Sequence, residues 1–310
     1  MRKNEKNNRQ PCSRHGREEK TVRMLALDLD GTLLTDDKRL TERTAEALMD
    51  AADAGVIPVI VTGRPLAGLP ESVRKLPCIR YVITSNGAST KDLRTGETLR
   101  SACLDTETAA AIVRIPMERG LVHSAFIDGM GYCEPEFMEL QYRFFRGTPL
   151  EEYVRNSRQA TEDIEALIRS HPEGVENVWC IAADQTERDE IAGIINGHWK
   201  VQTVLTALRD VEVGSMEADK GAAVTALAER FGIHRERILA IGDNDNDLSM
   251  FRAAGTTVAM GNAPAFVKEQ ASVITESNEQ DGAAEMIEKF LTGGGRINGI
   301  SGSRGQGSIL

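Results

Sequence analysis

The 310-residue sequence is short of aromatic residues, cysteines and long hydrophobic runs, and each shortage excludes a class of protein. Its five cysteines are scattered without a CxxC pair, which argues against a disulfide framework or a structural zinc site. No apolar run approaches the roughly 18 residues of a membrane span, and the basic N-terminus lacks the apolar segment of a secretory signal. We therefore expect a cytoplasmic protein without a membrane partner.

Positive charge is also in short supply, since 37 lysines and arginines face 47 aspartates and glutamates. The net charge of −10 does not favour a nucleic-acid or acidic-membrane surface. A hydrophobic content of 41% suits a soluble chain of one large or two ordinary domains. The polar residues 1–20 predict a disordered tail, and the glycine-rich residues 293–310 predict a flexible tail.

An apolar run from Met24 to Leu27 ends abruptly in two carboxylates, Asp28 and Asp30, and Gly31 follows at once. The run predicts a short buried strand, and the glycine predicts its exit turn. In an extended segment both carboxylates point to the same side, and burying them is costly unless they serve chemistry or hold a metal. The pattern predicts either a functional site at the strand end or only a strand that is followed by an Asp-x-Asp-Gly turn.

The same arrangement recurs along the chain, because further apolar strands end in small polar or acidic residues beside a glycine. Helices are predicted between these strands, which is the pattern of a parallel sheet. The carboxyl ends of such strands are where ligands bind in α/β proteins. The recurring strand ends are Val61-Thr62-Gly63, Thr84-Ser85-Asn86-Gly87 and Ile241-Gly242-Asp243.

Residues 88–210 are less regular and richer in charge than their flanks, and they predict an inserted α+β domain. The earlier strand-and-helix style resumes at residue 211. We therefore predict an α/β fold in which a doubly wound parallel core sheet carries a separate α+β domain. The predicted divisions are the tail 1–20, a core of 21–87 and 211–292, the inserted domain 88–210 and the tail 293–310.

Four motifs carry the chemistry that the sequence offers. They are Asp28-Leu29-Asp30-Gly31-Thr32, Thr62-Gly63-Arg64, Lys220-Gly221 and Gly242-Asp243-Asn244-Asp245-Asn246-Asp247. In this order they resemble the haloacid dehalogenase superfamily, and within it the Cof-type hydrolases with a C2 cap. Too few residues separate Asp30 from Thr62 to hold a domain, whereas the stretch from Thr62 to Lys220 is long enough. The resemblance implies a Rossmann-like core with the cap inserted in that second stretch.

The resemblance implies that Asp28 is the nucleophile and forms an aspartyl-phosphate, the alternative being that it only ligates a metal. Asp30 would protonate the leaving oxygen and then deprotonate the hydrolytic water. Several carboxylates would repel a phosphate dianion, and a hard cation with oxygen ligands, Mg²⁺, resolves this repulsion. The expected metal ligands are Asp28, Asp30 (through its backbone carbonyl), Asp243 and Asp247.

The residues expected to bind phosphate are Thr62, Gly63, Lys220 and Asn246. Thr62 offers its hydroxyl and nearby backbone N–H groups, although a local turn explains such a threonine nearly as well. Lys220 would stabilise negative charge on the phosphoryl group, and its alternative is a solvated lysine at a helix start. Aspartates alternate over 243–247 as in a calcium-binding loop, but the glycine and terminal glutamate of an EF-hand are absent.

Together these residues predict a Mg²⁺-dependent phosphatase that hydrolyses a small soluble phosphate monoester, with a sugar phosphate as the first candidate. The alternatives are a sugar phosphomutase or phosphotransferase of the same superfamily, and a non-catalytic binding protein on this fold. The expected partner is the small-molecule ester, without nucleic acid, and the expected state is a monomer or homodimer. The aromatic and basic residues 143–146 either line the cleft or belong to a cap surface with its own core.

Overall fold

The structure, a computed structural model, describes residues 21–205 and 209–293. The two predicted tails, 1–20 and 293–310, lie outside these ranges except for Gly293. The described strands are β1 (Met24–Leu27), β2 (Ile57–Val61), β3 (Tyr81–Thr84), β4 (Ser89–Asp92), β5 (Thr98–Ser101), β6 (Val122–Ile127), β7 (Met130–Cys133), β8 (Arg158–Ala160), β9 (Asn177–Ile181), β10 (Val201–Leu205), β11 (Asp210–Ser215), β12 (Ile238–Gly242), β13 (Thr256–Ala259) and β14 (Val273–Ile274).

The helices alternate with these strands in much of the chain. They are α1 (Glu42–Asp53), α2 (Glu71–Arg74), α3 (Thr106–Glu118), α4 (Pro135–Phe145), α5 (Glu151–Asn156), α6 (Ile164–Arg169), α7 (Gln185–His198), α8 (Lys220–Arg230), α9 (Leu248–Ala253), α10 (Ala265–Lys268) and α11 (Gly282–Thr292). Short 3₁₀ turns lie at Leu66–Gly68, Ser85–Gly87, Arg235–Arg237, Asp245–Asp247 and Asn278–Gln280. None of the described helices is long and apolar enough to cross a membrane.

The core is an eight-stranded sheet in the order β14-β13-β12-β1-β2-β3-β4-β5. The six strands from β14 to β3 are parallel, and β4 and β5 extend the sheet as an antiparallel edge. β1 lies at the centre, where Leu25 pairs with Leu239 on one side and with Pro58 on the other. All four residues of β1 are buried, because helices cover both faces of the sheet.

Two apolar layers enclose the core sheet. On one face α1 and α11 pack Leu48 and Ile287 against Leu25 and Leu27, and on the other face α8 and α9 bury a second apolar cluster. The start of α1 is set locally, because the Thr41 side chain accepts a hydrogen bond from the backbone N–H of Thr44. This three-layer arrangement confirms the predicted doubly wound α/β core.

The inserted domain is a six-stranded sheet in the order β10-β11-β9-β6-β7-β8. One face packs against α3, α6 and α7, and the apolar residues of that layer form the main core of the domain. The other face carries a smaller cluster that includes Phe126, Phe145 and Trp179. This sheet with helices confirms the predicted α+β cap, and the smaller cluster lies on the face that meets the core.

The structure places the domain boundaries differently from the prediction of 88–210. β4 and β5 pair with β3 and belong to the core sheet, so the cap begins after Ser101. Their Ser-, Thr- and Lys-containing sequences lack an apolar run, although most of β4 is buried between β3 and the edge strand β5. β11 was predicted to open the second half of the core, yet it pairs with β9 and β10 in the cap. Its buried Val211 and Val213 alternate with less buried residues, as expected of an antiparallel strand.

Candidate active site

The predicted site residues meet at the carboxyl ends of the parallel core strands. Asp28 follows β1, Thr62 follows β2 and Asp243 follows β12. The sheet continues to the first two of these residues, since the Asp28 N–H donates to Ile241 O and the Thr62 N–H donates to Ile83 O. Three segments that are distant in sequence therefore present polar side chains at one edge of the sheet.

Lys220 reaches this edge from the first position of α8. Asp219 caps the helix by accepting a hydrogen bond from the Ala222 N–H. The helix start lies directly against Gly87, whose φ is +97°. A Cβ added to Gly87 would lie 2.4 Å from the Asp219 carbonyl oxygen. Only glycine fits there without a shift of the backbone. This close approach brings the lysine over the strand ends.

The Lys220 ammonium group is buried between two carboxylates. The side chain is 1% exposed, and Nζ donates to Asp28 Oδ1 at 2.6 Å and to Asp247 Oδ1 at 2.7 Å. Burial lowers the pKa of Lys220, but the charges of Asp247 and Asp28 outweigh burial and hold the pKa above its ordinary value. The alternative of a solvated lysine is wrong, because this side chain is a buried cation.

Three carboxylates form an acidic cluster beside this lysine. Ligand oxygens of Asp28, Asp243 and Asp247 all lie within 4.8 Å of one another. Burial and then the charge of Asp247 raise the pKa of Asp28 well above its ordinary value, and the same two causes raise the pKa of Asp243 to about 7. Clustered carboxylate oxygens that repel one another fit a hard divalent cation such as Mg²⁺, which would offset the repulsion.

The aspartate-rich loop is organised around Asp247. Its Oδ2 accepts hydrogen bonds from the backbone N–H groups of Asp243 and Asn244, which closes a capping box over the 3₁₀ turn Asp245–Asp247. Asp245 is exposed and does not belong to the acidic cluster. The calcium-loop alternative is wrong for this reason, since the third carboxylate of the cluster comes from Asp28.

Asp30 does not share the acidic cluster. β1 ends at Leu27 and the chain turns at Gly31, so the two aspartates do not face the same partner as an extended segment would require. The Asp30 carboxylate instead receives a two-pronged hydrogen bond from Arg64, at 2.6 and 2.7 Å, and an ion pair from Lys38 at 3.0 Å. Burial raises the pKa of Asp30, but Arg64 and Lys38 outweigh burial and lower it.

The sequence interpretation did not assign a catalytic role to Arg64. It is 7% exposed, and its Nη1 donates to the carbonyl oxygen of Gly68. Its guanidinium carbon lies 4.8 Å from the ring centroid of Tyr153, which belongs to α5 of the cap. The signal that could have found this role is its position, directly after the Thr62-Gly63 strand end. Arg64 thus connects the Asp30 carboxylate to the cap.

The remaining predicted phosphate-binding residues lie on two segments, Thr62 and Gly63 at the end of β2 and Asn246 on the aspartate-rich loop. Thr62 is buried, and its hydroxyl oxygen accepts a hydrogen bond from the Arg64 N–H, as in the predicted local turn. Its hydroxyl hydrogen still offers a donor. Asn246 donates to Asn86 Oδ1 at 3.1 Å, next to Gly63. Among the described contacts Asn246 has none with Lys220, and its partner Asn86 in turn donates to Glu212 of the cap.

Two cap glutamates reach the core strand ends and were missed by the sequence reading. Asn86 Nδ2 donates to Glu212 Oε1 at 3.0 Å, and the Ser85 hydroxyl donates to Glu176 Oε2 at 2.6 Å. Burial raises the pKa of Glu212 to about 7, and burial likewise raises the pKa of Glu176. In sequence both look like ordinary charged residues of half-exposed strands. These bonds fix the cap against the loop Ser85-Asn86-Gly87.

The group 143–146 divides between the two predicted alternatives. Phe145 is buried and lines a cavity between cap and core, so it belongs to the cleft. Arg143, Phe144 and Arg146 are exposed, and Arg143 pairs with Glu139 on the same helix.

Comparisons with known proteins match almost the whole described chain. A family model of haloacid dehalogenase-like hydrolases matches residues 25–287. A 5-amino-6-(5-phospho-D-ribitylamino)uracil phosphatase of Bacillus subtilis is 27% identical over 281 residues, which cover 89% of this chain and 98% of the relative. A pyridoxal phosphate phosphatase of Escherichia coli is 28% identical over 275 residues, which cover 87% of this chain and 99% of the relative.

A solved structure supports the same relationship. A haloacid dehalogenase-like hydrolase from Bacteroides thetaiotaomicron has a TM-score of 0.75 and 25% sequence identity to this chain, and the match covers 87% of this chain and 99% of that one. The match with the family model spans both halves of the core and the inserted cap, as the four motifs predicted. The chain therefore belongs to the haloacid dehalogenase-like hydrolases and, as a Cof-type member, is a phosphoric monoester hydrolase.

Proposed function

We propose that the protein is a Mg²⁺-dependent phosphatase of a small soluble phosphate monoester, a sugar phosphate being the first candidate, and that it acts in the cytoplasm through an aspartyl-phosphate. The observation that carries this proposal is the buried Lys220, which holds Asp28 at 2.6 Å beside the two other carboxylates of the acidic cluster. The relatives named above act on phosphate esters of small molecules, which supports the same substrate class.

Asp28 is the nucleophile in this proposal. Lys220 holds one of its carboxylate oxygens, and the other forms a bond to phosphorus while the bond from phosphorus to the ester oxygen breaks. The Thr62 hydroxyl and the Lys220 ammonium stabilise charge on the phosphoryl oxygens. Asp28, Asp243, Asp247 and the backbone carbonyl of Asp30 would hold Mg²⁺, which would supply positive charge that offsets the repulsion between the carboxylates and the phosphate dianion.

Asp30 moves the proton in both half-reactions. It gives a proton to the ester oxygen as the alcohol leaves, and then takes one from the water that hydrolyses the aspartyl-phosphate. The ion pair with Arg64 lowers the pKa of Asp30 and so favours its carboxylate form. The negative charge of a phosphate dianion bound at Asp28 favours protonation of Asp30, so this group can donate a proton while Arg64 keeps its orientation. Arg64 and the cap residue Tyr153 therefore position the acid.

The assay that tests the proposal measures phosphate release from a panel of small phosphate monoesters, with Mg²⁺ and with excess EDTA. We expect Mg²⁺-dependent release of free phosphate and one alcohol. Formation of an isomeric sugar phosphate without free phosphate would instead establish the mutase. No turnover of any ester, or of the more reactive anhydride acetyl phosphate, would favour a binding protein on this fold.

Arg64→Gln is expected to slow the hydrolysis only of those esters whose leaving group needs a proton. We expect kcat for glucose 6-phosphate to fall by about 10- to 100-fold, within the range of acid catalysis, and kcat for p-nitrophenyl phosphate to change little. Arg64→Lys should restore part of the loss, since lysine keeps the charge but not the two-pronged geometry.

The matched controls for this experiment are Asp30→Asn and the exposed Arg74→Gln. Asp30→Asn should show the same dependence on the leaving group with a larger loss, whereas Arg74→Gln should behave as the unmodified protein. An equal loss of kcat for both substrates in Arg64→Gln would contradict a positioning role for this arginine.

A further inference from the structure

Asn86 lies at the point where the cap meets two loops of the core. It follows β3, and its backbone has φ +53°, a left-handed conformation that asparagine and aspartate adopt more readily than most other residues. A Cβ added to Gly63 would lie 3.1 Å from Asn86 Oδ1. The Asn86 side chain therefore packs against the strand end that carries Thr62.

A chain of hydrogen bonds passes from the cap to the core through this side chain. Asn86 Nδ2 donates to Glu212 Oε1 at 3.0 Å, and Asn86 Oδ1 accepts from Asn246 Nδ2 at 3.1 Å. Glu212 lies on β11 of the cap, and Asn246 lies in the aspartate-rich loop beside Asp247. These three residues, Glu212, Asn86 and Asn246, are called the amide chain below. They connect a cap strand to the loop that carries two carboxylates of the acidic cluster.

The carboxylate sets the direction of the amide chain. An ionised carboxylate only accepts hydrogen bonds, so Asn86 has to turn its Nδ2 toward Glu212. Its Oδ1 then faces Asn246, which has to answer with its own Nδ2. Asn177 Nδ2 donates to the same Glu212 oxygen at 2.9 Å and so holds the carboxylate from the cap side. Each amide in the chain is thereby left with one orientation.

The fixed orientation determines what Asn246 offers to an anion. Its amide nitrogen carries two hydrogens, and one of them is used by Asn86. The other remains available for a phosphoryl oxygen, which is the role that the motif predicts for Asn246. An amide that is free to turn presents its oxygen to the anion part of the time, whereas a donor held in place binds without that cost.

We propose that Glu212 and Asn86 are positioning residues, in which the cap carboxylate orients the Asn86 amide and this amide holds Asn246 with one N–H available for a phosphoryl oxygen. The inference rests on the proposed phosphatase function, because it requires the phosphoryl group to lie within reach of Asn246 when it reacts with Asp28. It follows that the phosphate site is complete only while Glu212 of the cap faces Asn86.

The test measures the Kd of inorganic phosphate by calorimetry in the presence of Mg²⁺ at pH 8. This probe needs no turnover and carries no leaving group that could contact the cap. Asn246→Ala should weaken binding about tenfold, as expected when one hydrogen bond to a charged group is lost. Asn86→Asp should weaken it by a similar factor, because two acceptors then face each other at Glu212 while the left-handed backbone is still tolerated.

An exchange of donor and acceptor separates orientation from simple disruption. In Asn86→Asp with Glu212→Gln, the glutamine amide can donate to the new carboxylate, which still accepts from Asn246, so most of the affinity should return. Adding Asn86→Asp to Asn246→Ala should cause no further loss, because the amide chain then ends without a donor to the phosphate. Glu176→Gln is the matched control, since it makes the same change at the neighbouring bond between the cap and Ser85, and it should leave the Kd unchanged.

Steady-state kinetics with p-nitrophenyl phosphate give an independent readout. Asn246 would contact the phosphoryl group both before and during the reaction, so Asn86→Asp should raise KM about tenfold and change kcat much less. A variant that only damages the fold would lower kcat and the melting temperature together. The exchange variant should return KM toward the value of the unmodified protein.

The outcomes distinguish this inference from the proposed function. Losses of phosphate affinity that add up in Asn86→Asp with Asn246→Ala would overturn the positioning role, as would an exchange variant that recovers nothing. An unchanged Kd in Asn246→Ala would also overturn it, and hydrolysis by the unmodified protein would then leave the phosphatase standing. Failure of the unmodified protein to hydrolyse any ester or acetyl phosphate would overturn the proposed function, and this inference with it.

Discussion

Asp28→Asn is expected to abolish phosphate release while leaving the protein folded. The substitution removes the only nucleophile in the proposed mechanism, and losses on the order of 10⁴-fold or more follow when such a group is removed. The variant keeps the shape of the site, because asparagine Oδ1 can still accept the hydrogen bond from Lys220. Phosphate release with Mg²⁺, measured beside a thermal melt, tests both halves of this expectation.

We also expect Asp28→Asn to change the melting temperature in a way that depends on Mg²⁺. Burial and the charge of Asp247 raise the pKa of Asp28, so its carboxylate is disfavoured in the folded state. In EDTA, Asp28→Asn should therefore melt at the same temperature as the unmodified protein or higher, and Mg²⁺ should stabilise it less. Asp245→Asn, an exposed acid on the aspartate-rich loop, is the control and should match the unmodified protein in both assays. Undiminished turnover by Asp28→Asn would refute the nucleophile assignment.

The strand ends could be predicted from sequence because their signal is local. A strand that is buried on both faces appears in the sequence as a short apolar run. The polar residue and the glycine that follow the run mark the strand end, where a parallel sheet binds ligands. Asp28, Thr62 and Asp243 were found this way, and they meet as expected. The roles of these residues remain predictions, since position alone does not establish which carboxylate attacks and which ligates.

The partners of charged side chains could not be predicted, because each depends on a turn or a tertiary contact. Asp30 faces Arg64 since the chain leaves the strand at Leu27, a change that alternation along an extended segment does not anticipate. In sequence Glu176 and Glu212 look like ordinary charged residues, and only the structure shows that Ser85 and Asn86 of the core loop bond them. The same reason explains the misplaced boundary at β11, whose pairing partners lie in the cap.

Lys220 joins the two halves of the core through charge as well as packing. Its Nζ bonds Asp28, which is 192 residues away in sequence, and Asp247, and the lysine is among the largest fully buried side chains of the described chain. A buried ion pair of this kind contributes little against a well-packed apolar replacement of all its members, but removing one member leaves the others uncompensated. We therefore expect the lysine to matter to stability as well as to the proposed catalysis.

Lys220→Met is accordingly expected to lower the free energy of unfolding at pH 7 by about 3–5 kcal/mol and to abolish turnover. Without the ammonium group the pKa of Asp28 rises further above its ordinary value, since Lys220 is the charge that lowers it. A carboxyl whose pKa is raised in the folded state stabilises the fold at low pH and loses that contribution as pH rises through the folded-state pKa. The variant should therefore gain stability from pH 8 to pH 5, as measured by urea unfolding in EDTA.

The double variant Lys220→Met with Asp247→Asn separates stability from catalysis. The asparagine can still accept hydrogen bonds from the backbone N–H groups of Asp243 and Asn244, and it removes one uncompensated charge. We expect most of the lost stability to return while turnover stays absent, because no cation then faces the phosphoryl group from this side. Lys75→Met, which removes an exposed lysine paired with Glu71, is the control and should leave unfolding and turnover unchanged. Full turnover by Lys220→Met would show that its buried charge serves the fold alone.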